Sequence, residues 1–300
     1  MKFIKYLIAL IICFALSVPA MAQRSTRSQG EVPPPKTKKA AQEQTVPHRS
    51  KKRSPQNTGV VAGQIRPRVF LNPGHGGHDS DDRPCPFYNE GMQARVEYYE
   101  SDSNLKGAMA MKDILRSRGY EVFMSRVNNT TDDDLNLFEI HQLALNSGAD
   151  VFFAIHSNSS GSATRRVNFP FAIYRGYDGG GTAEGSEELA GIVASNLADC
   201  EATSWSRGGL THGDWSFYRN RSGLGVFRWN KLPGILVENC FHDYQIERER
   251  LLNKDYCGLL ATINSRSLDK FFNRPAQQFG MVAGIVRYDY PRKGKRLTSF

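Results

Sequence analysis

Apolar residues are distributed unevenly along this chain. Positions 23–66 are almost entirely polar, rich in Pro, Lys, Gln, Ser and Thr, and a stretch that cannot bury a core is expected to be disordered. From Arg68 the pattern changes. Arg68–Leu71, Glu121–Ser125, Val151–His156, Phe169–Arg175, Val226–Trp229 and Gly234–Glu238 are short, largely apolar and bounded by Gly, Pro or polar clusters, so they read as strands. Val151–Ile155 and Ile235–Val237 are continuously apolar, which predicts strands covered on both faces. Between the strands the spacing turns helical. Ser101–Arg118 opens on the N-cap types Ser101, Asp102 and Ser103, carries Leu105, Ala108, Met109, Met111 and Leu115 on one stripe, and stops at Gly119. Phe138–Asn146 closes at Gly148; Glu187–Cys200 is a further helix, and Gln245–Phe272 reads as one long amphipathic helix. Ser80–Tyr98, Asn128–Asp134 and Thr203–Arg221 show no clear period and read as loops. Strands alternating with helices predict an α/β fold: a mostly parallel twisted sheet flanked by helices on both faces, in a single domain over residues 67–273.

The ends of the chain change this picture. Lys2 and Lys5, the apolar run Tyr6–Leu16 and Ala20-Met21-Ala22 give Met1–Ala22 the form of a secretory signal peptide. That run is too short to span a membrane, so the protein is expected to be exported, to periplasm or cell envelope, and not transmembrane after cleavage. Residues 23–66 then form a disordered basic linker and 274–300 a basic tail, which holds a strand-like run, Met281–Val286. The formal net charge of +9 lies in these arms: 23–57 carry +7, 287–300 carry +4 and the signal peptide +2, leaving 58–286 at −4. Basic arms suit an anionic polymer or surface, or simply a solvated linker. No nucleic-acid motif is present, and nucleic acid is not an expected partner. Cys85, Cys200, Cys240 and Cys257 lack C-x-x-C spacing, which argues against a cysteine-based zinc site without fixing any disulfide.

Candidate chemistry gathers at element ends. His75 follows the first strand within Asn72-Pro73-Gly74-His75-Gly76-Gly77, Glu100 immediately precedes the first helix, His156 ends the third strand and Glu238 ends the strand Gly234–Glu238. In open α/β sheets, sites are built at strand ends. Two histidines and a carboxylate match a catalytic zinc centre with its fourth position open. A second carboxylate beside the metal but not bound to it suits a base that takes a proton from water. Each residue also has a plainer reading: a solvent-exposed turn histidine, a histidine bonded to a loop, a carboxylate favoured at a helix N-terminus, and a paired strand-end charge.

Taken together, five segments resemble the zinc-dependent N-acetylmuramoyl-L-alanine amidases, the amidase type 3 family. They are Asn72–Gly77, Glu100 with Asn104, Ser125-Arg126, Ala149–Asn158 and Leu232–Phe241, in the family's order and spanning roughly residues 68–272. The resemblance implies that His75, Glu100 and His156 hold Zn²⁺ and that Glu238 is the catalytic acid/base. It also implies a peptidoglycan substrate cut between N-acetylmuramic acid and L-alanine in wall turnover or daughter-cell separation, and admits an activator protein as partner. A monomer is expected. Asn72 replaces the family's usual aspartate, where a change in metal tuning is expected; His141 replaces an arginine, and Asn239–Asp243 an ending in glycine and phenylalanine. Two other functions fit some of the residues. A zinc carboxypeptidase-like peptidase needs a cation for its substrate's carboxylate, which Arg126, Arg175 or Arg228 offers. A non-catalytic wall-binding module suits the basic arm and the aromatics of Trp205–Tyr218. In that last segment Trp205, Trp215, Phe217 and Tyr218 are expected either to stack on sugars, to pack as a satellite cluster, or to form an occluding lid.

Overall fold

A computed structural model gives the structure and describes residues 66–89, 92–162, 167–203 and 210–277. The predicted signal peptide, nearly all of the linker, the tail from 278 onward, and Trp205 and Arg207 lie outside the described residues.

In chain order the elements are β1 (Arg68–Pro73), β2 (Phe87–Asn89), β3 (Ala94–Val96), α1 (Glu100–Ser117), β4 (Glu121–Met124), α2 (Leu137–Ser147), β5 (Val151–Asn158), β6 (Phe171–Tyr174), β7 (Gly176–Tyr177), β8 (Gly180–Gly181), α3 (Ser186–Asp199), β9 (Leu210–Gly213), α4 (Asp214–Phe217), β10 (Gly234–Phe241), α5 (Gln245–Leu251) and α6 (Lys254–Phe271). The main sheet has the order β4-β1-β5-β10-β6-β9. β4, β1, β5 and β10 are mutually parallel, while β6 runs antiparallel to β10 and β9 parallel to β6. Alternate residues of the central strands face opposite layers, as the period of two requires. Val69, Leu71, Phe153, Ile155, Ile235 and Val237 join the larger core beneath α1, α3 and α6, whereas Phe70, Phe152, Ala154 and Leu236 join a second cluster with Ala144 of α2. Covering both faces explains why β5 and β10 are apolar throughout. The fold class predicted from the sequence is the one observed.

Several elements differ from the sequence reading, each for a local reason. Val226–Trp229 is not a strand: Gly225–Phe227 forms a 3₁₀ turn that buries Phe227 in the second cluster and pairs with no strand. The expected single helix from Gln245 to Phe272 is two, because Asn253 caps a new helix by accepting from the Asp255 N–H at 2.8 Å. Thr203–Arg221, read as irregular, contributes the edge strand β9 and the short helix α4. Ser80–Tyr98, read as a loop, contains the β2–β3 hairpin. β10 continues to Phe241, with a register irregularity after Glu238, and β5 runs to Asn158, so neither Glu238 nor His156 is a strand's final residue.

One edge of the sheet collects the ends that matter. β1, β5 and β10 all run toward it, and the Glu100 N–H bonds the Asp82 carbonyl at 3.0 Å, which docks the start of α1 on the same edge.

Candidate metal centre

β1 delivers Gly74 and His75. The Gly74 N–H donates to the Ile155 carbonyl at 3.0 Å, extending the β1–β5 register past the strand's end. A Cβ on Gly74 would overlap the His156 imidazole, so only glycine lets that ring lie against the backbone. His75 itself sits at φ 62°, a left-handed conformation uncommon for a residue with a Cβ and frequent at functional sites. Arg126 holds this turn. Its guanidinium donates to the carbonyls of Pro73, Gly74, Ser101 and Asn128 and to Asn129 Oδ1, all at 2.9–3.1 Å. Arg126 is therefore committed to bracing β1 against α1 and has no donors left for a substrate.

Glu100 is the first residue of α1 and is 2% exposed. Its Oε1 accepts from the Ser157 N–H at 3.0 Å and from Asn104 Nδ2 at 3.0 Å, and lies 3.1 Å from His156 Nδ1. Its Oε2 lies 3.3 Å from His75 Nε2 and 3.7 Å from His242 Nδ1. The rings of His75 and His156 meet edge to face at 5.1 Å. Ligand atoms of His75, Glu100 and His156 all fall within 4.8 Å of one another. Two ligands on a tetrahedral zinc at about 2.05 Å stand about 3.3 Å apart, which is the His75–Glu100 separation. Burial disfavours ionised Glu100, yet His75 and His156 beside it hold its carboxyl well below the usual range. Burial likewise draws His156 down, keeping it in the neutral form that a metal requires. Burial also draws on His75, but the carboxylate of Glu100 outweighs it and raises that imidazole, the direction expected of a histidine facing an anion. Borderline-soft nitrogens, one anionic oxygen and a separation of tetrahedral length fit Zn²⁺.

Glu238 pairs in register with His156 across β5 and β10, and with Phe171 on its other side. Its Oε2 is buried without a hydrogen-bond partner. Burial, and then the charge of Glu100, raise its carboxyl well above the ordinary range. A carboxyl shifted in that direction holds a proton more readily than a free one, as a group that takes and returns protons must. The structure thus brings all four sequence-predicted residues to one place.

A family profile described as N-acetylmuramoyl-L-alanine amidase matches residues 69–269. The chain belongs to this family. It is a peptidoglycan amidase, acting on the bond between N-acetylmuramic acid and L-alanine. The sporulation-specific N-acetylmuramoyl-L-alanine amidase of Bacillus subtilis (strain 168) is 28% identical over 207 residues, 69% of this chain and 68% of that one. The N-acetylmuramoyl-L-alanine amidase structure from Clostridium difficile 630 superposes with a TM-score of 0.54 at 26% identity, covering 69% of this chain and 97% of that one. The CwlD amidase from Clostridioides difficile, solved in complex with the GerS lipoprotein, shares the fold at a TM-score of 0.50 and 18% identity, covering 69% of this chain and 99% of that one.

The amidase's other departures sort by contact. Asn72, where metal tuning was expected, accepts from Ser125 Oγ at 2.8 Å and so ties β1 to the end of β4. His141 is buried on α2, in the layer opposite α1. His242 is a neighbour of the centre that the sequence reading did not single out. Its Nδ1 is 2.9 Å from the Ser157 carbonyl and its ring lies over Tyr98. A polar residue prolonging an apolar strand was its one visible signal. Arg175 faces buried Asp214 at 3.5 Å and lies 5.3 Å from the Trp215 ring, while Arg228 lies over Trp229. Of the aromatics, Phe217 packs on Phe171 within the second cluster and the Trp215 indole N–H is buried, as in a satellite cluster. No described helix is long and apolar enough to cross a membrane.

Proposed function

We propose that His75, Glu100 and His156 hold Zn²⁺ and that Glu238 carries the protons of the amide hydrolysis. When bound, the ion supplies a Lewis acid for the scissile carbonyl and acidifies water at its open position. Glu238 takes a proton from the attacking water and returns it to the nitrogen of L-alanine as the carbon–nitrogen bond breaks, which leaves a muramic acid carboxylate and a free stem-peptide amine. Asn104 and the Ser157 N–H fix Glu100 from behind through Oε1, leaving Oε2 for the cation. The observation that carries this reading is the buried, unpartnered Oε2 of Glu238 beside His156. A structural carboxylate in that position would be paired.

We also infer the surrounding organisation: a signal peptide over 1–22, a linker over 23–66, a zinc amidase domain over 67–273, a basic tail over 274–300, export to the envelope, and a monomeric enzyme. A protein activator is part of this proposal, since an amidase of the same fold was solved with a lipoprotein bound. The test is digestion of purified sacculi with mass spectrometry of the products. Free stem peptide with intact glycan is the expected result, and Glu238→Ala should abolish it. Loss of a single C-terminal residue would instead indicate a carboxypeptidase. That reading is disfavoured, because Arg126 spends all its donors on the turn at His75 and Arg175 faces buried Asp214.

A further inference from the structure

One basic side chain at the rim of the centre is uncommitted. Arg83 is exposed, and among the described residues its guanidinium makes no hydrogen bond or ion pair. Its backbone, by contrast, is held from both sides. The carboxylate of Asp82, 1% exposed, accepts from the Gly76 N–H at 2.7 Å and the Asp79 N–H at 2.8 Å. The Asp82 carbonyl accepts from the Glu100 N–H at 3.0 Å. On the other side Pro84 forms a β-bridge with Tyr99, and the Cys85 N–H donates to the Tyr98 carbonyl at 2.8 Å. Residue 83 therefore hangs between the turn bearing His75 and the start of the helix bearing Glu100. It does so at φ 55°, a left-handed conformation that disfavours a residue with a Cβ. The side chain is aimed by fixed backbone while its charged head stays free.

The position of that charge is informative. It is rooted in backbone tied to the turn that follows His75 and to the first residue of α1, beside two of the proposed ligands. A cation there works against any metal held by these residues, so it does not serve the metal. What it suits is an anion brought by the substrate. In peptidoglycan the second stem residue is joined through its side-chain carboxyl, which leaves its α-carboxylate one residue beyond the scissile amide. Two extended residues span about 7 Å, within reach of an arginine rooted at the rim.

Building on the zinc amidase reading, we propose that Arg83 is a specificity-determining residue that binds the free α-carboxylate of the second stem-peptide residue. A guanidinium meets a carboxylate through two parallel hydrogen bonds, so the enzyme discriminates stems with a free acid from those with an amidated one at this position.

The test uses the zinc-loaded enzyme with two disaccharide dipeptide substrates that differ only in carrying the free α-carboxylate or its amide. Wild type is expected to favour the acid. Arg83→Gln should lower kcat/KM on the acid by about 10- to 100-fold, mostly through KM, the range of a hydrogen bond to a charged group. On the amide it should change by less than about twofold on the same scale. Arg83→Lys should restore part of the loss on the acid, because it keeps the charge but not the paired geometry. Equal losses on both substrates, or no loss on either, would overturn the proposal while leaving the amidase mechanism intact. A zinc-bound wild type that released stem peptide from neither substrate, nor from sacculi, would overturn the mechanism and the proposal with it.

Discussion

Glu238 should make the metal-free enzyme less stable than it would be without that carboxylate. Its Oε2 is buried with no partner, and burial followed by the charge of Glu100 raises its pKa well above the usual carboxylate range. A carboxyl with a raised folded-state pKa binds its proton more tightly when folded than when unfolded. Its contribution to stability is therefore fully present below the unfolded value, near pH 4, and is lost as pH rises through the raised folded value. Glu238→Gln removes the charge and with it this loss. A buried charge left unsatisfied costs more than a neutral polar group in the same place, by an amount on the order of 2 kcal/mol. Taking about 2 kcal/mol, with about 2–4 °C per kcal/mol for a domain of this size, Glu238→Gln should raise Tm by about 4–8 °C at pH 8. The gain should shrink toward zero as pH falls to the ordinary carboxylate range. The assay is thermal unfolding of both proteins in chelator across that pH range, repeated with zinc. Added zinc should narrow the difference, because a cation beside Glu238 stabilises the wild-type carboxylate. Amidase activity should fall by about 10²–10⁴-fold in the same variant. A Tm gain that did not depend on pH, or a loss of stability at pH 8, would refute the assignment of an ionisable, unpartnered base to this position.

Other outcomes follow from the same geometry. Gly74→Ala sets a methyl into the His156 ring; it should destabilise by about 1–3 kcal/mol or displace that ring, and zinc titration should show weakened binding with Glu238 untouched. Asn104→Ala frees Oε1 of Glu100 from its amide and should cost about 10–100-fold in zinc affinity, measured by competition with a chromogenic chelator. Arg126→Lys cannot serve the four carbonyls and the Asn129 side chain; it should lower stability by about 2–3 kcal/mol in denaturant titration, and should do so equally with and without zinc. Zinc at 100 times its dissociation constant should stabilise wild type by about 2.7 kcal/mol, an increment His156→Ala should largely abolish in the same thermal assay.

The centre was legible in the sequence because each of its residues sits where a local signal ends. Val69–Leu71 stops at Pro73-Gly74, Ser101–Ser103 announce a helix start beside Glu100, and the apolar runs of β5 and β10 give way at His156 and Glu238. Periodicity marks such boundaries well. It says nothing of what a long loop does once neighbours are in place. β9 is a strand because Phe171–Tyr174 offers it an edge, and Leu210–Gly213 alone carries no strand pattern. Val226-Phe227 has strand composition, but with the sheet's edge positions held by β4 and β9 its apolar residues fold into a turn against α2 instead. The break at Asn253 is made by one capping side chain, and an apolar stripe that runs on through it does not reveal the break.

The same distinction separates the arginines. From sequence, Arg126, Arg175 and Arg228 were equivalent donors for a substrate carboxylate, and Arg83 lay in a loop with no period. The fold reverses their standing. Arg126 is the best placed of the first three and the least available, because closing the turn at Gly74-His75 leaves carbonyls of Pro73, Gly74 and Ser101 that a planar, multidentate donor satisfies. Building a centre from the ends of β1, α1 and β5 therefore consumes one arginine in holding those ends together. The guanidinium left to meet an anion comes from the loop between β1 and α1, where Asp82 anchors the backbone and Arg83 itself bears no structural duty. A substrate contact of this kind depends on which cation the scaffold leaves unpaired, and no pattern of residue types along the chain records that.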